Sequence, residues 1–222
     1  MKKNEYHHGN LREDYLSIAF SYLNNHDVNT LTLKILSDAT DTSRSAIYRH
    51  FRNKDALIAS MIEKGFEKFN ATMAPVLTES NQPLVDRFYL ATKTYVEWAK
   101  KHPNLYRLLF GNTYANLRDN IIDINDDTSI TGFGALKQAI EEGQASGIIE
   151  KKSSYTQAII IWSSLHGLSS LIIDNFTGVE EVSNELYDEM FLNLLAGLLT
   201  NKVKILSTIP IINTILKPKG KS

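Results

Sequence analysis

The stretch TSRSAIYRHFRNKDALI, Thr42 to Ile58, decides how this chain folds. Ser43 can accept a hydrogen bond from the backbone three residues on, so it caps a helix that the periodicity carries to about His50. Ala46, Ile47, His50 and Phe51 fall on its inner face, and Arg44, Ser45, Tyr48, Arg49 and Arg52 on its outer face. Asn53 caps a longer helix predicted to reach Met73, because Pro75 follows. Upstream, Thr32 caps a short helix from about Leu33 to Ala39, with Leu33, Leu36, Ser37 and Thr40 turned inward. Thr40, Asp41 and Thr42 form the turn between the two short helices. An earlier helix, marked by Leu11, Tyr15, Ile18, Ala19 and Tyr22, opens at a capping box of Asn10 and Glu13 and ends near Asn24. Three helices, the last two short and joined by a tight turn, describe a helix-turn-helix.

Charge singles out the same stretch. Thr40 to Lys54 holds four cations (Arg44, Arg49, Arg52, Lys54) and one anion (Asp41), a local +3; the chain's net charge is −1, so the remainder carries −4. A cationic helix face is often merely solvated. Here it lies on the second helix of a capped short pair, which is the footprint of a nucleic-acid reader. A recognition helix presents its first residues to base edges in the major groove. Arg44 and Ser45 are then nearest the bases, and a bidentate Arg44–guanine contact is worth about 1–3 kcal/mol of discrimination. Tyr48, Arg49 and His50 lie a turn later, against phosphates or a thymine methyl. Thr32, Ser43 and Lys54, at three helix starts, can clamp the phosphate backbone. Lys2 and Lys3 can reach phosphates from an amino-terminal arm.

The rest of the 222 residues reads as helices, with no strand and no βαβ unit. Apolar residues make up 43% and charged residues 22%, as in ordinary globular proteins. Helices are expected over about Val85–Lys101, from Pro103 towards Gly111, and over Phe133–Ser146, Ser154–Asp174 and Val179–Thr200. Asn120 to Thr131 reads as a mobile loop. No secretory pattern opens the chain and there is no cysteine, which fits a cytoplasmic location. The most apolar run, AIIIWSSLHGLSSLII (Ala158–Ile173), is interrupted by serines, His166 and Gly167 and is short of the roughly 20 apolar residues of a membrane span; a buried helix is expected. No enzyme is indicated: the histidines at 7, 8, 26, 50, 102 and 166 lack zinc-type spacing, and there is no Gly-rich phosphate loop or nucleophile elbow. His7 and His8 are expected to be solvated. No metal and no cofactor is expected.

The stretch SRSAIYRHFRNKDAL resembles the signature of the TetR family of bacterial transcriptional regulators. YHHGNLRED (Tyr6–Asp14), HPNLYRLLFG (His102–Gly111) and WSSLHGL (Trp162–Leu168) are similar to a branch with a carboxy-terminal Trp-His-Gly segment. The resemblance implies an all-α homodimer. A helix-turn-helix domain (1–54) would be joined by a connecting helix (53–73) to a ligand-binding and dimerisation domain (75–222), with the last two long helices of each subunit forming a four-helix interface. Departures are confined to turns and small residues. Asp41 and Asp27 stand at glycine positions, Thr42 replaces an apolar residue, and Thr40 and Ser37 replace alanines. Aspartate tolerates the left-handed conformation such turns require.

The partners implied are duplex operator DNA, a second copy of the chain and a small-molecule effector; no membrane is implied. Tyr95, Trp98, Tyr106, Phe110, Tyr114, Trp162 and His166 are the candidate lining residues of an effector site between helices; plain core packing is the more ordinary role for each, and Trp98 and Trp162 are the better lining candidates. Ligand binding would shift the balance between two head spacings, releasing DNA by its differential affinity and no more. Repression by a palindrome-bound dimer is the function implied; a DNA-binding regulator without a small-molecule ligand is the alternative. The tail from 201 to 222 either packs on its own domain or extends the dimer contact.

Overall fold

The computed structural model describes residues 11–78, 81–120, 131–176 and 183–200. Lys2, Lys3, His7, His8, Asn10, the loop from 121 to 130 and the tail from 201 lie outside the described residues. Within them the chain forms α1 (Leu11–Leu23), α2 (Leu33–Ala39), α3 (Arg44–Tyr48), α4 (Lys54–Thr78), α5 (Leu84–Lys101), α6 (Pro103–Phe110), α7 (Ala115–Asp119), α8 (Gly132–Ala145), α9 (Ser154–Ile173) and α10 (Asn184–Leu198). Extended pairing among the described residues is one isolated bridge, Ile149 with Leu199. The all-α class read from periodicity is the class observed. Two compact units result: residues 1–68 with 102–123, and residues 69–101 with 124–222.

In the first unit, α1 buries Tyr15, Leu16, Ala19 and Leu23. Leu11, Ile18 and Tyr22, expected on the inner face, are only half-buried. Asp27 does not adopt the left-handed conformation; at φ −70° it caps a single 3-10 turn over Val28–Thr30, its carboxylate accepting the Asn29 N–H at 2.7 Å. Thr32 caps α2, accepting the Ile35 N–H at 3.3 Å. That helix ends in a left-handed cap: the Thr42 N–H donates to the Ser37 carbonyl at 2.9 Å and the Asp41 N–H to the Asp38 carbonyl at 3.3 Å. Asp41, at φ 52°, takes the strained position that glycine usually fills.

Helix α3 is shorter than its periodicity suggests. After Tyr48, hydrogen bonds from the Arg49 and His50 N–H groups to the carbonyls three residues back tighten the chain into a turn. His50 is thereby exposed rather than inward, edge-on to Tyr15 at 5.8 Å between ring centroids. Asn53 Oδ1 accepts the Ala56 N–H at 2.9 Å and starts α4. Further along α4, a Cβ on Gly65 would lie 2.8 Å from a Leu109 methyl, so a larger residue would have to push that leucine side chain aside. The five-residue α7 is too short to leave a periodic signal.

In the second unit, α9 packs against α5 and α8, and α10 against α5. Helix α4 runs past Pro75 instead of stopping at Met73. Proline removes the hydrogen bond to the Ala71 carbonyl. Burial of Met73, Ala74 and Leu77 offsets the loss, since a buried leucine side chain contributes about 1.5–3 kcal/mol. Arg87 completes the stop: buried itself, it donates to the Leu77 carbonyl at 2.6 Å and pairs with Glu142. Gly147, at φ 75°, ends α8 where its position suggests.

Helix α9 departs from expectation in one respect. It is apolar and, at 20 residues, long enough by composition to cross a membrane, yet most of its apolar length is left uncovered in this chain. The inner stripe Ala158, Ile161, Leu165, Ser169 and Ile172 is core, whereas Ile160 and Leu171 face outward.

Candidate nucleic-acid interface and ligand site

Ser43 Oγ accepts the Ala46 N–H at 3.2 Å and shares a 2.9 Å hydrogen bond with Ser45 Oγ. Ile47 and Phe51 anchor α3 from below, both essentially fully buried. The opposite face carries Arg44, Ser45, Tyr48, Arg49 and Arg52, all exposed, with Tyr48 at 56%. Periodicity alone sorts these residues as observed, His50 excepted. Among the described residues the three arginines enter no ion pair, so their charge is available to a partner. Arg12 is withdrawn by contrast: it donates to Ser60 Oγ at 2.7 Å and lies over the Phe51 ring. Thr32 is exposed, its oxygen committed to the α2 cap.

Lys54 is placed differently from a free clamp. Its ammonium donates to the Asn29 carbonyl at 2.7 Å. Partial burial lowers its pKa, with Asp27 and Asp55 pulling the other way. One donor is thus committed to the 3-10 turn, leaving two for a phosphate.

In the second unit an aromatic cluster forms around α9. Trp162 Nε1 donates to Tyr95 OH at 3.0 Å. Phe69 stands edge-on to both Tyr95 and Trp98, with centroids 5.6 and 5.0 Å away. Phe133 meets Trp162 edge-on at 5.9 Å, and His166, one helical turn from Trp162, lies 6.1 Å from it. Asn70 Oδ1 accepts the Gly132 N–H at 2.9 Å and ties the start of α8 to α4. The structure therefore brings together Tyr95, Trp98, Trp162 and His166 and adds Phe69 and Phe133. Both added rings sit at helical spacing in the sequence, but nothing local says which helix they will meet.

Tyr106, Phe110 and Tyr114 belong to the other compact unit and are occupied differently. Phe110 packs against Phe66 and Tyr106. Tyr114 OH donates to Asn29 Oδ1 at 3.1 Å, and Asn104 Nδ2 donates to the Leu23 carbonyl at 3.0 Å. Asn29, unmarked in the sequence, thus receives both Tyr114 and Lys54. Phe110 and Tyr114 thus make these contacts within the amino-terminal unit.

Two family models match the chain. Bacterial regulatory proteins, tetR family, matches residues 16–61, and the tetracyclin repressor-like C-terminal domain matches residues 89–194. The chain belongs to the TetR family. Its fold and domains are those of DNA-binding transcriptional regulators. The amino-terminal match spans every DNA-contacting candidate from Thr32 to Lys54, and the carboxy-terminal match spans the aromatic cluster except Phe69. Solved TetR-like structures agree in fold. A protein of unknown function from Rhodococcus sp. RHA1 is 24% identical over 89% of this chain and 100% of that one, at a TM-score of 0.72. The fatty acid degradation regulator FadR from Bacillus halodurans is 13% identical, covering 89% and 98%, at 0.64. RolR in complex with resorcinol is 11% identical, covering 95% of each chain, at 0.61. A search of curated proteins gave no match.

Proposed function

We propose that this TetR regulator is a repressor that binds a palindromic operator as a homodimer through α3 and is released by a small-molecule effector held at the Tyr95–Trp162 cluster. The observation that carries the DNA-binding part is the exposed Arg44, Ser45, Tyr48 and Arg49 face of a capped helix anchored by buried Ile47 and Phe51. Arg44 and Ser45 read bases. Tyr48, Arg49 and His50 follow the backbone or a thymine methyl, and Thr32, Ser43 and Lys54 hold phosphates. Dimerisation is supported by the outward apolar side of α9, where Ile160 and Leu171 are exposed and a side chain at Gly167 would meet open space. Paired copies would present α3 to half-sites about 34–36 Å apart.

The cluster supports a small, largely apolar effector with a ring to stack, because aromatic edges surround few polar atoms: Tyr95 OH, Trp162 Nε1 and His166. RolR, of the same fold, is known with resorcinol bound. A ligand-free mode is favoured by the Trp162–Tyr95 hydrogen bond, which closes the cluster on itself. One titration decides. A short duplex enriched from a random pool is followed by fluorescence anisotropy while phenols, beginning with resorcinol, are added. Quenching of Trp98 and Trp162 emission with release of the duplex is the expected result. Quenching with no change in DNA affinity would remove the switch, and a protein that never prefers the enriched duplex over random DNA would remove the regulator.

A further inference from the structure

The turn that sets α3 carries a hydroxyl chain whose direction can be worked out. Tyr15 OH lies 2.7 Å from Thr42 Oγ1, and Thr42 Oγ1 lies 2.8 Å from Thr40 Oγ1. Thr40 Oγ1 also lies 2.9 Å from the Leu36 carbonyl and 3.3 Å from the Ser37 carbonyl. Carbonyls only accept, so the Thr40 proton goes to the backbone of α2. Thr40 must then accept from Thr42, and Thr42 from Tyr15. The chain runs one way: Tyr15 O–H to Thr42 O–H to Thr40 O–H to the end of α2. Tyr15 is fully buried and Thr40 nearly so, so neither can exchange its partner for bulk water without cost.

This chain fixes α3 at the end that matters. Ile47 within the helix and Phe51 in the turn after it are buried and hold this segment by apolar contact, which sets depth but tolerates rotation. Thr42 immediately precedes the cap Ser43 and stands two residues before Arg44. Its backbone N–H is held by Ser37 and its hydroxyl by Tyr15 and Thr40. We propose that Tyr15, fully buried, and Thr42, half-buried, are positioning residues for base readout: the α1 phenol aims Arg44 through Thr42. The inference rests on the proposal that α3 reads DNA.

The test uses the full chain and two duplexes, the one enriched by the wild type and a random one of equal length. Thr42→Val removes both hydrogen bonds at constant shape. It should lower affinity for the enriched duplex roughly three- to tenfold, the equivalent of one or two net hydrogen bonds, and leave random-duplex affinity unchanged. Thr42→Ser, which keeps the oxygen, should restore the wild-type ratio. Tyr15→Phe should fall between. Adding Tyr15→Phe to Thr42→Val should cost nothing further, because both remove the same bond and the phenylalanine also removes a stranded hydroxyl. Equal losses on both duplexes, an unchanged ratio in Thr42→Val, or additive losses in the double variant would overturn the inference. If Thr42→Val does not fold, the ratio in Tyr15→Phe decides alone. A wild type without preference for the enriched duplex is a separate result that ends the DNA-reading proposal and this inference with it.

Discussion

Asp41 sits at φ 52° in the turn between α2 and α3, and a side chain is strained there. Asp41→Gly should raise stability by about 0.5–1 kcal/mol, read as a shift of the chemical denaturation midpoint; the gain is held down by the extra freedom glycine gives the unfolded chain. Two cations separate specific from general affinity. Arg44→Ala should reduce binding to the enriched duplex more than to random DNA. Lys54→Met should weaken both alike and lower the salt slope by roughly one unit, as expected for a lost phosphate contact. Anisotropy titrations over a salt series measure both. The caps Thr32, Ser43 and Asn53 were legible in the sequence because a cap bonds to a backbone N–H only three residues away. Asn29 was not, since its two partners, Lys54 and Tyr114, arrive from 25 and 85 residues later.

At the scale of elements, sequence rules worked where local forces decide and failed where packing overrides them. The stop of α8 at Gly147 is local. The run of α4 through Pro75 is not: it depends on Leu77 being buried and on Arg87 meeting the Leu77 carbonyl. Arg87→Met should therefore cost about 1.5–3 kcal/mol, the worth of hydrogen bonds to a charged group, measured by urea denaturation. Helix α10 docks on α5 through phenol–carboxylate bonds. Tyr187 OH donates to Glu97 at 2.5 Å and Tyr89 OH to Asp188 at 2.7 Å, with Lys93 near both rings. The Tyr187 hydrogen bond holds Glu97 below the usual carboxylate range, so its stabilisation is present above that range and is lost as pH falls through the lowered value. Desolvation, helped by Asp188, pushes Tyr89 up to about 12; its contribution is full below the usual phenol value and is lost as pH rises towards 12. These two groups add no pH dependence between those limits and lower stability outside them. Tyr187→Phe should remove the part of the acid decline that Glu97 supplies, as seen in denaturation midpoints across pH.

For the whole molecule, charge and apolarity are segregated. A local +3 around α3 stands in a chain of net charge −1, and the exposed apolar side chains on α9 include Tyr155, Ile160 and Leu171. Exposed patches of that kind mark interaction surfaces. Ile160→Asp should turn a dimer into a monomer in sedimentation velocity and weaken operator binding, while leaving the helical circular dichroism intact. Composition disclosed that α9 is apolar but not which of its sides the chain leaves uncovered, because that depends on where α5 and α8 lie.

The amino-terminal unit is not one continuous piece of chain: residues 102–123 belong to it although 69–101 do not. Leu105 and Leu109 fill the notch beside Gly65, and Asn104 satisfies the last carbonyl of α1. A ribosome that has released only the first 68 residues has therefore delivered an unfinished body. The part of this protein that is made first must wait for α6 to emerge, so a stall in translation between α5 and α6 would leave a nascent head with an open apolar flank, the kind of surface on which chaperones act.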